Sequence, residues 1–195
     1  MSGAHRFFRN AATVLVMSVA LFTTSAKAEV FLAILSGPAE SPPNTSLGTG
    51  IATIDFNETL HTMHVQCQFT GLSGNTTACH IHSATTIPFT GTAGVATLQP
   101  AFPTFPLGVT SGSCDTTLDM TLASSSNSPF VTANGGTPAT AEAALLAGIR
   151  AGKAYFNIHT NVVPGGEIRG FLVPEPTSLG LIAVTGLLTM RRKRA

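Results

Sequence analysis

Between residues 29 and 173, apolar side chains recur at every second position in short runs, and Gly, Pro, Ser and Asn break the runs. A period of two belongs to a strand with one buried face, and no other property of the chain limits its fold as strongly. It predicts eight strands, at 30–35, 50–56, 60–69, 78–82, 94–98, 114–122, 154–160 and 167–172, with Asn57-Glu58-Thr59 turning the second into the third. Eight short antiparallel strands at this spacing predict an all-β domain, a Greek-key sandwich or barrel. One short helix interrupts them. Thr137 is placed to cap it, Pro138 suits its first position, residues 141–149 are rich in helix formers and Gly152 can end it. The Pro-rich stretch 100–106 and the Ser-rich stretch 124–128 read as surface loops.

Residues 29–173 have a normal size for one domain. They carry Arg150, Lys153 and Arg169 against eight acidic residues, a formal charge of −5, although the whole chain sums to +1. An acidic body has no electrostatic footprint for nucleic acid. The sequence also lacks a Gly-x-Ser-x-Gly nucleophile motif, a phosphate-cradling glycine loop and a Cys-x-x-Cys pair, so an enzyme is the weaker expectation.

The other basic residues frame the two ends. Arg6 and Arg9 precede an uncharged run at 11–22, and Ala26-Lys27-Ala28 offers a small-residue cleavage site, the layout of a signal peptide over residues 1–28. At the far end Pro174-Glu175-Pro176 leads into a mostly apolar run at 177–190, closed by Arg191, Arg192, Lys193 and Arg194. The run is shorter than the roughly 20 residues that span a bilayer comfortably, and its basic tail is expected on the cytoplasmic side. Tripeptide, apolar run and basic tail, residues 174–195, together resemble the PEP-CTERM sorting signal of Gram-negative bacteria. That resemblance implies transient membrane insertion as a transmembrane helix and processing by an exosortase-type transpeptidase at the cell envelope. A plain C-terminal membrane anchor is the alternative, and both place the body outside the cytoplasm. Export permits a disulfide, and three cysteines allow one pair with one left over. Cys79 with Cys114 is the expected pair, which leaves Cys67 as a buried thiol, although connectivity does not follow from sequence.

Splitting each strand into its two faces gathers the polar residues. Alternation turns His64, His80, His82, Asn157, His159, Glu167 and Arg169 away from the apolar sides of their strands, and neighbouring strands would assemble them on one surface. Glu167 and Arg169, two residues apart, are expected to form a side-by-side ion pair, and Gly165 and Gly166 to supply positive φ in the return between the last two strands. Histidines at i and i+2 on one strand, with a third nearby, are candidate ligands for zinc or copper. The competing reading is structural: the imidazoles and Asn157 hydrogen-bond the Gly165-Gly166 turn and pair with Glu167.

Leu72-Ser73-Gly74, Cys79-His80-Ile81-His82, Tyr155-Phe156-Asn157-Ile158-His159-Thr160 and Pro164-Gly165-Gly166-Glu167-Ile168-Arg169-Gly170 resemble the CHRD domain. The opening Leu35-Ser36-Gly37, Glu40 and Pro42-Pro43 is similar to that domain's first segment. Cys79 stands where the motif usually has a small residue, and Ser83 where a glycine is common. The resemblance implies an immunoglobulin-like or superoxide-dismutase-like fold and a secreted, non-catalytic module that binds an extracellular polysaccharide or matrix protein. A His-x-His strand also resembles copper–zinc superoxide dismutase, whose remaining ligand pattern is not found here. The alternative function is a metalloprotein using His80, His82 and His159, with His64 or Glu167 as a fourth ligand.

Overall fold

The computed structural model describes residues 28–175. Residues 1–27 of the expected signal peptide, Pro176, the apolar C-terminal run and the tail with Arg191 and Arg192 lie outside the described residues. No helix among the described residues is long and apolar enough to cross a membrane.

The chain forms strands β1 Glu29–Ser36, β2 Thr49–Asn57, β3 Thr62–Thr70, β4 Thr76–His82 and β5 Gly112–Asp119, helices α1 Ser128–Ala133 and α2 Pro138–Arg150, then β6 Tyr155–Thr160, β7 Ile168–Phe171 and β8 Val173–Pro174. All strands lie in one antiparallel sheet of order β4-β6-β7-β1-β2-β3-β5, with β8 beside β1, curled into a half-barrel. The all-β expectation is met. Alternation explains the curl, because Phe31, Ala33 and Leu35 of β1, Ile54 and Phe56 of β2, Val65 of β3 and Ile158 of β6 all turn into one core. The helix α2 lays Leu145, Leu146 and Ile149 into that core. Thr137 and Thr140 close a reciprocal cap at its first turn.

Four expectations change. Residues 94–98 are not a strand but a cover along the open edge of β4: Ala96 N donates to Ile81 O, while the N–H of Ile81 donates to the Thr97 hydroxyl, and a side chain in that place interrupts the ladder. The stretch 100–106 is not a surface loop, since Phe102 and Phe105 are buried, stacked on Phe156 at 5.7 Å and on Phe69 at 5.3 Å. Ser125 and Ser126 are buried as well, and the six-residue α1 follows them. The three cysteines are free, and Cys114 sits opposite Cys67 across β3 and β5 rather than bonded to Cys79.

Between β7 and β1 there is a single register pair, Ser36 with Arg169, and the chain pairs β1 again only as β8. This join divides β4-β6-β7 from β1-β2-β3-β5.

Candidate functional site

Strands β4 and β6 pair so that His80 faces Asn157 and His82 faces Tyr155, with His159 one diagonal away opposite Ala78. Period two therefore puts three imidazoles on one side of two adjacent strands. His80 lies 4.7 Å from His159 and 4.9 Å from His82, ring centre to ring centre. Their candidate ligand atoms all fall within 4.8 Å of one another. This face is covered, not open to solvent: the three rings are 6 to 9% exposed and every residue of β6 is buried.

The cover is held by Arg169 of β7. Its Nη1 donates to Gly91 O at 3.0 Å and its Nε to Ala39 O at 2.6 Å, and its guanidinium lies 4.6 Å above the Tyr155 ring. Tyr155 in turn stacks on His82 at 4.7 Å with the planes 5° apart. Arg169 thus ties two loops over the histidines. Its carboxylate neighbour is Glu40, at 3.7 Å, and not Glu167 as expected. Burial pushes the Glu40 carboxyl up to about 7 against the opposing pull of Arg169.

Backbone carbonyls fix how the rings present themselves. His82 Nδ1 sits 2.8 Å from Ala93 O, and His159 Nδ1 sits 2.9 Å from Pro164 O. A carbonyl only accepts, so both Nδ1 atoms carry the proton and both Nε2 atoms present a lone pair. His82 Nε2 is 3.2 Å from His80 Nδ1, whereas His159 Nε2 is buried with no partner. Burial lowers the His80 pKa to about 3 and, with His159 and Arg169 adding to it against the Ala93 carbonyl, that of His82 to about 4. Burial lowers His159 too. All three are neutral at pH 7, the form that binds metals.

Two nitrogens 3.2 Å apart subtend about 105° at an ion about 2.0 Å from each, an angle within tetrahedral coordination. Hydrogen-bonding of the second ring nitrogen to a carbonyl is the usual support for a metal-bound imidazole. The residues present therefore fit a metal ion.

The rest of the expected polar surface is dispersed. His64 is on β3, three strands beyond β7, with Nε2 2.8 Å from Asp115 Oδ1, so it is no ligand of this cluster. Glu167 does not pair with His159 either. Its carboxylate accepts from Ser46 Oγ at 2.6 Å, Ser73 N at 2.6 Å, Ser73 Oγ at 2.9 Å, Gly74 N at 3.3 Å and Thr160 Oγ1 at 2.6 Å. Burial works to raise its pKa, but these donors outweigh it and hold the carboxyl below its usual value. Of the two glycines only Gly166 has positive φ, 127°, and a Cβ there would meet the Asn157 amide and Glu40 Oε1 within 2.8 Å. Gly165 touches nothing within 4 Å of that position.

Face-splitting missed Glu40 and, although it puts Tyr155 on the face of Asn157 and His159, did not give that residue its place against His82. Glu40 comes from a loop without periodicity, and Tyr155 reads as polar surface until its ring is seen against His82.

The sequence profile of the CHRD domain family, among the comparisons with known proteins, matches residues 31–172. No curated protein and no solved structure matches the chain.

Proposed function

We propose that this chain, which belongs to the CHRD domain family, is an exported module that binds one transition-metal ion, zinc or copper, through His80, His82 and His159. CHRD domains are in general non-catalytic, and the reading is of a binding module rather than an enzyme. The observation that carries it is the pair of carbonyl-pinned imidazoles whose Nε2 lone pairs face inward, one of them buried without a partner. An unpaired buried acceptor costs about 1–3 kcal/mol, a cost a bound ion removes.

The ends of the chain support an envelope location in a Gram-negative bacterium. Residues 1–28 read as the signal peptide and residues 174–195 as the sorting signal for an exosortase-type transpeptidase, with a polysaccharide or matrix protein as the extracellular partner.

The test is metal content by mass spectrometry on the purified full chain after dialysis against trace zinc and copper. One equivalent in the native chain and in His64→Ala, and none in His80→Ala with an unchanged circular dichroism spectrum, is expected. A metal-free native chain defeats the reading and leaves the histidines as scaffold. Intact mass of the chain recovered from envelopes checks the export reading, which predicts loss of residues 1–28 and cleavage near Pro174.

A further inference from the structure

Resting on the three-histidine reading, we propose that the site selects copper, held as Cu(I), over zinc. The argument is one of charge. All three donors are neutral imidazole nitrogens, and no anion among the described residues joins them. Glu167 is occupied by Ser46, Ser73, Gly74 and Thr160, Glu40 lies against Arg169, and the Cys79 thiol, turned by alternation to the core side of β4, is fully buried there. The Arg169 guanidinium, stacked on the tyrosine that itself stacks on His82, puts a positive charge one ring away from the cluster.

A divalent ion entering this covered face would bring two positive charges to a ligand set without an anion, and the one buried carboxylate nearby, Glu40, is already set against Arg169. The cost of burying an ion grows as the square of its charge, so a monovalent ion incurs about one quarter of that cost. Zinc also completes a four-coordinate shell with water when the protein gives three ligands, and rings 6 to 9% exposed leave little room for one. A d10 Cu(I) ion is satisfied by two or three nitrogens. Where copper is divalent, nitrogen ligands still hold it more tightly than zinc.

Competition titrations on the purified full chain test this. Cu(I), supplied anaerobically with ascorbate, is titrated against bicinchoninate, and Zn(II) against a zinc-chelating dye. Cu(I) is expected to bind at least about a thousandfold more tightly than Zn(II). Equal or tighter zinc binding that needs all three histidines overturns the selection and leaves the three-histidine reading standing, whereas failure of both ions to bind overturns that reading itself. Placing an anion in the ligand set gives a second arm: His159→Asp is expected to narrow the Cu(I) preference by about a hundredfold. Asn157→Asp, which adds the same charge beside His80 and Arg169, is used in its place if circular dichroism shows the first variant unfolded. An unchanged preference in the folded variant overturns the charge argument.

Discussion

Glu40, in a loop, and the three histidines, on strands, titrate in opposite senses, and their balance sets how the metal-free chain responds to acid. The histidines have folded pKa values below the roughly 6.5 of an unfolded chain, about 3 for His80 and about 4 for His82, with His159 lowered too. Between those limits the unfolded chain binds more protons, so stability falls as pH drops, by about 1.4 kcal/mol per pH unit for each histidine that titrates only when unfolded. Glu40, raised to about 7, does the reverse: its contribution is fully present below 4.5 and is lost as pH rises through 7. It offsets about one histidine. The urea midpoint of the metal-free chain is therefore expected to fall from pH 6.5 to 4.5, and Glu40→Gln to steepen the fall; a flat profile would contradict the buried, neutral state of the cluster. Glu167, whose pKa is lowered, adds stability above its unfolded value that is lost as pH falls through its folded one. Glu167→Ala strands five donor groups on four residues and is expected to cost about 3–5 kcal/mol, read from urea unfolding at pH 7. Alternation alone placed His80, His82 and His159 on one face, because facing is a property of the local backbone. It carried nothing about which strands lie side by side, which is why His64 was grouped with them, nor about Ser46 and Ser73, whose bonds to Glu167 span 121 and 94 residues.

Elements with a strong local signal were legible and those made by their neighbours were not. The helix α2 follows from its own residues: Thr137 at the cap, Pro138 at the start and an apolar stripe. Thr137→Ala is expected to lower stability by about 1 kcal/mol through loss of that cap, measured by thermal melting. The stretch 100–106 has Pro at both ends and no period, so it reads as a loop, yet it delivers two phenyl rings to the open side of the half-barrel. Phe102→Ala removes a stacking partner of Phe156 and is expected to cost about 3–5 kcal/mol, whereas a surface loop would lose almost nothing. Residues 94–98 alternate like a strand but run beside β4 with a threonine hydroxyl in the ladder, a detail no periodicity contains.

At the scale of the molecule the single register pair between β7 and β1 is a seam, and polar residues rivet it. Arg169 reaches back to Ala39 and Glu40 just beyond β1, while Glu167 gathers Ser46, Ser73 and Gly74. The histidine pair of β4 and the third histidine of β6 lie on the smaller half. Arg169→Met is expected to speed hydrogen exchange in β7 at least tenfold while leaving β2 and β3 slow, because it loosens the seam and not the larger half. Beyond the seam, β8 ends where β1 begins: Pro174 pairs Phe31 and Glu175 N donates to Val30 O at 2.9 Å. Were the body held by its C-terminal side, as under the alternative of a membrane anchor, a pulling force would meet the last rung of this short ladder. Under a force that peels β8 from β1 the rungs would open in succession, as a zipper does, rather than sharing the load in shear. Residues 173–175 would come free first and lengthen the tether by about 10 Å, a small shock absorber that yields before the strands carrying the histidines feel any tension.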